Sequence, residues 1–319
     1  MLTRMGRWAL RVSSTAAPWT NVYGLARSLL AFGTALTLAF NDSSILFPLV
    51  AGAEPPPYCN GLRGAGAFCL MSHDLDAGRW LLVAALVVIA SGWRPRYTAL
   101  LHWWISWSVQ ANAGMVEGGD QVTAIITLLL LPIALTDQRS WHWLASAVPA
   151  VQPPGPARAT IPLLALSAQL AIRLQVAAIY FDSVVGKLGV AEWKDGTALY
   201  YWLTHPTFGA PSWLRPALVP LLTSTAVAPL TWSVILVEIA LFMGLTMNKR
   251  YRGWLLVAGL FLHGGIMVVH GLVSFGLAMF GALILFLRPS ERPFDVSWLT
   301  KQPAAWARCK PWAHSLAKP

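Results

Sequence analysis

The run from Gly253 to Leu287 holds 35 residues and not one Asp, Glu, Lys or Arg. An apolar segment of that length calls for a bilayer, in which a spanning helix needs about 20 mostly apolar residues. It is too long for one ordinary span and a little short for two, so a break is expected near His270 and Gly271. The same pattern recurs along the chain. Spans are predicted at about 22–40, 78–92, 97–115, 121–136, 160–188, 229–247, 253–270 and 271–287. The fold class is therefore all-α: one polytopic membrane domain of about eight transmembrane helices.

Composition agrees. Only 11% of the 319 residues are charged, against roughly 25% in soluble domains. The 17 tryptophans suit a protein with two lipid–water interfaces. The net charge of +10 does not indicate nucleic-acid binding, because the basic residues sit at the ends of apolar segments. Arg4, Arg7 and Arg11 precede an apolar run reaching Phe40. No small-residue cleavage site follows it, so it reads as a retained span and not as a removed signal.

Charge bias sets an orientation. With the N-terminus in the cytoplasm, inside loops carry Arg94 and Arg96, then Arg139 and Arg158, then Lys249, Arg250 and Arg252. The basic tail 288–319 adds Arg288, Arg292, Lys301, Arg308, Lys310 and Lys318. Outside loops carry Asp42, Glu54, Asp74, Asp76, Glu117, Asp120, Glu192 and Asp195. This distribution follows the positive-inside rule and places both termini in the cytoplasm. Two outer loops are long, 41–79 and 189–228. The stretch "TALYYWLTHPTFGAPSWL" in the second is too polar to span and reads as interfacial or re-entrant.

Cys59 and Cys69 share the first outer loop, where an oxidising environment favours a disulfide. The alternative is a thiol pair exchanging with a substrate, although nine intervening residues do not make a redox motif. Cys309 lies in the tail and reads as an unpaired thiol.

Ionisable residues within spans are costly and mark sites. Arg173, Tyr180 and Lys187 are spaced seven apart and share a helical stripe with Ser183. Gln175 and Asp182 form a neighbouring stripe. Lys187, near the outer end, either snorkels to the interface or belongs to a site. Arg173, near mid-span, needs a partner, and Glu238 is available as one. His263 and His270 are also seven apart, about 10.5 Å along a helix, which suits no single metal ion. Each either packs helices or lines a polar cavity. Arg27, His102 and Gln110 lie in other spans. Together these residues suggest a polar cavity opening outward.

The block "IYFDSVVGKLGVAEWKDGTAL" resembles the signature of the HTTM family, the membrane domain related to vitamin K-dependent gamma-glutamyl carboxylase. Tyr180, Phe181, Lys187, Leu188, Trp193, Gly196, Ala198 and Leu199 carry the likeness. "NVYGLARSLLAFGTALTLAFN" and the outer loop ending "FCL" at Leu70 resemble, more narrowly, the bacterial sporulation-delaying protein B family. The resemblance spans residues 21–287. It implies a bacterial inner-membrane protein that matures a secreted peptide toxin. Lys187 would be a base acting on a reduced membrane quinone, with O2 and CO2 as co-substrates and no metal. Tyr180, Arg173, Glu238, His263 and His270 would line the site, and Asp182 would order neighbouring helices. The carboxylase has a large lumenal domain after its membrane part, whereas the stretch after Leu287 here is short and cytoplasmic. A small partner protein would then help present the peptide precursor. A non-catalytic export, immunity or chaperone subunit is the alternative, and a transporter a third.

Overall fold

The computed structural model describes residues 18–52, 54–144, 156–290 and 293–295, without the side chains of 156–159. Arg4, Arg7, Arg11, Arg292, Lys301, Arg308, Cys309, Lys310, Lys318 and the Arg158 side chain lie outside the described residues. Within them, eight helices have 15 or more residues. They are α1 (Asn21–Phe40), α2 (Leu75–Ala90), α3 (Pro95–Asn112), α4 (Gly118–Leu135), α5 (Pro156–Leu188), α6 (Val227–Met243), α7 (Arg252–His270) and α8 (Val273–Leu287).

Helix ends follow local chemistry. The Asp74 carboxylate accepts from Ala77 N at 2.9 Å, so α2 starts a turn before its apolar run. Glu117 and Asp120 form a reciprocal capping box on α4, which sets its start before Gln121. Arg79 Nη1 donates to Leu38 O at 2.5 Å and so covers the carbonyl end of α1. Gly271 takes φ 70°, the left-handed conformation that ends α7, and α8 begins two residues later.

Four helices, α1, α4, α5 and α7, are long and apolar enough to cross a membrane by themselves. A fifth candidate is bent: the short helix Arg215–Leu222 meets α6 at 99°. Lipid is also demanded by the surface. Large apolar side chains such as Phe261 (84% exposed), Trp254 (77%) and Leu236 (65%) stand on α7 and α6 with no protein cover. Such a surface is stable only in an apolar medium. The protein is a helical membrane protein.

α8 sits at the centre and packs on α1, α4, α5 and α7. From Ala278 to Leu287 it is almost wholly buried, Phe280 excepted. The α1 contact is close because small residues line it: a Cβ at Gly281 would lie 3.0 Å from Ala26 O, and one at Gly33 3.1 Å from Ser274 O. In lipid, where apolar burial gives little drive between helices, this van der Waals approach holds them together. A second core joins α1, α2 and α3 to Phe47 and Phe68 of the loop between α1 and α2. Cys59 and Cys69 in that loop are joined by a disulfide. Past α8, Asn21 clasps Phe294 in both directions: Nδ2 donates to Phe294 O, and Phe294 N donates to Asn21 Oδ1, each at 2.8 Å.

A buried polar network lies where α3 starts and α4 ends. Asp137 and Arg139 pair at 2.7 Å, with side chains 1% and 9% exposed, and the Tyr23 hydroxyl donates to Asp137. Arg27 Nη2 donates to Thr98 Oγ1 at 2.8 Å. His142 is fully buried and is clasped between two glycines. A Cβ at Gly24 would sit 2.8 Å from its ring, and one at Gly92 2.4 Å from its Nε2. Gly92 also has φ 90°, where an L side chain is strained. Gly92→Ala should therefore cost at least about 2 kcal/mol and lower the apparent melting midpoint in detergent. Adding His142→Ala should recover part of the loss.

Candidate functional site

The charged end of α5 points into a crevice shared with α6 and α7. Tyr180, Ser183 and Lys187 follow one another at helical spacing and share a face. Lys187 Nζ donates to Glu238 Oε1 of α6 at 2.9 Å and to Ser183 Oγ at 2.5 Å. Ser183 Oγ donates to the same Glu238 oxygen at 3.1 Å. The Lys187 side chain is 20% exposed and that of Glu238 9%, so the pair is largely withdrawn from its surroundings. Its upper side is closed by Trp193, whose ring centroid lies 5.2 Å from Nζ. The ammonium turns inward to a carboxylate, which is not snorkelling.

A turn deeper, Tyr180 Oη and His263 Nε2 of α7 are 2.9 Å apart, and both residues are buried. The His263 ring meets Phe275 edge-on at 5.5 Å. Two buried atoms here have no hydrogen-bond partner, Glu238 Oε2 and His263 Nδ1. An unmade bond of this kind costs about 1–3 kcal/mol, so the site is built with bonding capacity to spare.

The remaining residues of the block hold a cover over this end. Asp195 Oδ1 accepts from Thr197 Oγ1 at 2.6 Å and from Thr197 N at 3.0 Å. These bonds hold its carboxyl below the usual carboxylate range and shape the turn at Gly196. Gly196 has φ 86°, and a Cβ on it would lie 2.6 Å from Ala228 Cβ. Ala198 is buried, and Leu199 N donates to Thr231 Oγ1 at 3.3 Å. The segment 191–204 is thereby pinned to the start of α6. Phe181 and Leu188 face outward, about half exposed, with the Phe181 ring 5.4 Å from Phe242.

Several expectations need correcting. Glu238 is the partner of Lys187 and not of Arg173, which is half-buried about four turns further down α5. Asp182 is exposed on a different side of α5 and forms no ion pair among the described residues, so it does not order neighbouring helices. His263 and His270 do not share a site. His270 Nδ1 lies 2.6 Å from Phe208 O and its ring meets Trp202, so it fastens the segment between α5 and α6. Arg27 belongs to the Asp137 network, not to the Lys187 crevice. His102 shares that neighbourhood. Gln110 is half-buried further along α3. The buried polar residues thus form two groups. Phe275 meets His263 and also the first turn of α4 at Gly119, whereas Asp137 follows the last turn of α4. The two groups therefore occupy opposite ends. Clefts lie at Met71–Leu81 and at Arg94–Arg139, away from the Lys187 group. Asp137 and His142 carried no sequence signal beyond lying near Arg139, and Tyr23 none beyond its place in the first apolar run.

No family model and no solved structure matches this chain. Its architecture and its buried Lys–Glu couple define a class, helical membrane proteins with a polar crevice at one end of the bundle. Two relatives from Bacillus subtilis (strain 168) narrow that class. The uncharacterized protein YitO is 38% identical over 287 residues, covering 89% of this chain and 90% of its own length. The sporulation-delaying protein SdpB is 35% identical over 287 residues, covering 89% of this chain and 86% of its own length. The chain belongs to the SdpB family.

The Lys187–Glu238 pair makes a stability prediction. Removing one partner strands the other charge, at about 3–5 kcal/mol for a buried pair. Lys187→Met and Glu238→Gln should each lower the melting midpoint of the purified protein. The double variant should lose less than the sum of the two. Additive losses would mean that the charges do not interact.

Proposed function

We propose that the chain crosses the membrane eight times with both termini in the cytoplasm, and that it matures a secreted peptide toxin at the outer face. The observation that carries this reading is the Lys187–Ser183–Glu238 couple beside Tyr180–His263, with Glu238 Oε2 and His263 Nδ1 buried and unbonded. The family membership supports the biological setting, since one relative is named for delaying sporulation.

Lys187 acts as the base. Glu238 Oε1, 2.9 Å from Lys187 Nζ, is placed to take the proton that the ammonium must give up before the amine can act as a base. Ser183 keeps the amine in place, and Trp193 limits water. A positioned base of this kind contributes about 10²–10⁴-fold in rate. Following the likeness of the Tyr180–Leu199 block to the carboxylase-related membrane domains, a reduced membrane quinone would supply the acidic hydroxyl, with O2 and CO2 as co-substrates. The residues fit such a hydroxyl-bearing group, because Glu238 Oε2 and His263 Nδ1 can each take a further hydrogen bond. The peptide precursor approaches from the outer face, assisted by a small partner protein.

A second reading also has an observation behind it. Lys187 is already bonded to Glu238 and Ser183, as a purely structural ion pair would be, and the chain would then be a non-catalytic export or immunity subunit. The two readings part in cells making the toxin. Under the first, Lys187→Ala and Lys187→Arg each reduce mature peptide at least a hundredfold while the protein stays in the membrane at normal level. Normal maturation by Lys187→Arg would exclude the base role. Reporter fusions after Ala90 and after Leu135 should report the cytoplasm, and fusions after Phe40 and Leu188 the outside.

A further inference from the structure

At the end of the bundle opposite Lys187, a cleft of about 240 Å³ is lined by Arg94, Arg96, Tyr97, Asp137, Gln138 and Arg139. Its floor is electrically closed. Arg139 donates from Nε and Nη2 to Asp137 at 2.9 and 2.7 Å. It donates from Nη1 to His142 O and Leu144 O at 3.0 and 2.7 Å. The Tyr23 hydroxyl takes up the remaining side of Asp137. These two buried charges cancel and are held from every direction, so they form a rigid base and not a ligand-binding pair.

The rim is different. Arg94 and Arg96 are exposed, and neither guanidinium forms an ion pair among the described residues. The cleft therefore carries two uncompensated positive charges over a neutral floor. Arg94 is held there against its own preference. Its φ is 40°, a conformation that glycine adopts freely and an L side chain does not. Backbone bonds keep it so: Arg94 N donates to Ser140 O at 2.8 Å and His142 N to Gly92 O at 3.1 Å, with a bridge between Trp93 and Trp141. Arg96 lies in the first turn of α3, whose N-terminus has no side-chain cap and so adds partial positive charge at the same place. A strained backbone holding a charged side chain at a cleft is the kind of outlier that function maintains.

The surroundings identify the partner. Trp93, Tyr97 and Trp141 are 45%, 69% and 41% exposed, and such aromatic residues settle at headgroup depth. One turn further along α3, Leu100 and Leu101 are exposed, as is Leu135 at the end of α4. They offer apolar surface next to the charged rim. We propose that this cleft binds the phosphate of an anionic phospholipid, with Arg94 and Arg96 on the headgroup and an acyl chain along Leu100 and Leu135. Basic pockets between helices at a membrane surface take such headgroups.

Native mass spectrometry of the purified full-length protein with phosphatidylglycerol and phosphatidylethanolamine tests this. The unaltered chain should retain phosphatidylglycerol in preference. Arg94→Gln and Arg96→Gln should each reduce its retention about fivefold and leave phosphatidylethanolamine unchanged. Arg94→Gly separates binding from folding: it should raise the melting midpoint by relieving the left-handed backbone, yet lose phosphatidylglycerol as Arg94→Gln does. Equal retention of the two lipids by the unaltered chain overturns the proposal. So does undiminished phosphatidylglycerol in the Arg96 variant. Complete displacement of phosphatidylglycerol by millimolar inorganic phosphate would assign the cleft to free phosphate and overturn the lipid assignment.

Discussion

The contact between α1 and α8 is the seam on which the other helices depend. Gly33 and Gly281 let the two backbones approach to where a methyl group would press on a carbonyl oxygen. Once α8 lies there, its other faces are fixed against α4, α5 and α7. α5 and α7 then present Tyr180 and His263 to each other across 2.9 Å. The polar crevice is a consequence of where small residues allow two apolar helices to meet. Lipid provides no hydrophobic drive between helices, so this shape match, and not burial, sets the arrangement.

Much of the fold was legible because apolar runs report bilayer residence directly. The division of the 253–287 run is visible in one residue, Gly271, which can adopt the left-handed conformation that ends α7. Less legible was anything that depends on depth. Glu238 and Arg173 looked matched because each lies near the middle of its span. In the folded chain, α6 hangs from the contact between Gly196 and Ala228, which brings Glu238 level with Lys187. Arg173 is 14 residues before Lys187, about 21 Å along a helix. That offset arises from a contact between two segments 32 positions apart, and no local pattern announces it.

The block from Tyr180 to Leu199 is readable at the level of residues but not of roles. Lys187 stands out as a charge in an apolar helix. Nothing local says that Trp193 will close over it, that Gly196 is a hinge pin, or that Asp182, the other charge in the same helix, faces outward. The Asp137 network shows the same limit. Arg139 reads as one more cytoplasmic cation, yet its side chain is 9% exposed and it spends its donors on Asp137 and two backbone carbonyls. Loop charges are counted by the positive-inside rule whether they face water or are folded inward.

The clasp between Asn21 and Phe294 joins positions 273 apart, and α8, the helix that completes the α1 seam, is the last of the eight. Of these eight helices, α1 is therefore made first and waits longest for the partner that completes its seam. Its glycine face waits while the six intervening helices are made. Until α8 arrives, the bundle lacks its centre, so assembly cannot be finished piecemeal from the N-terminal side. The order of manufacture runs opposite to the order of importance in the finished core. Time spent with that face uncovered is the period in which the chain is open to wrong neighbours.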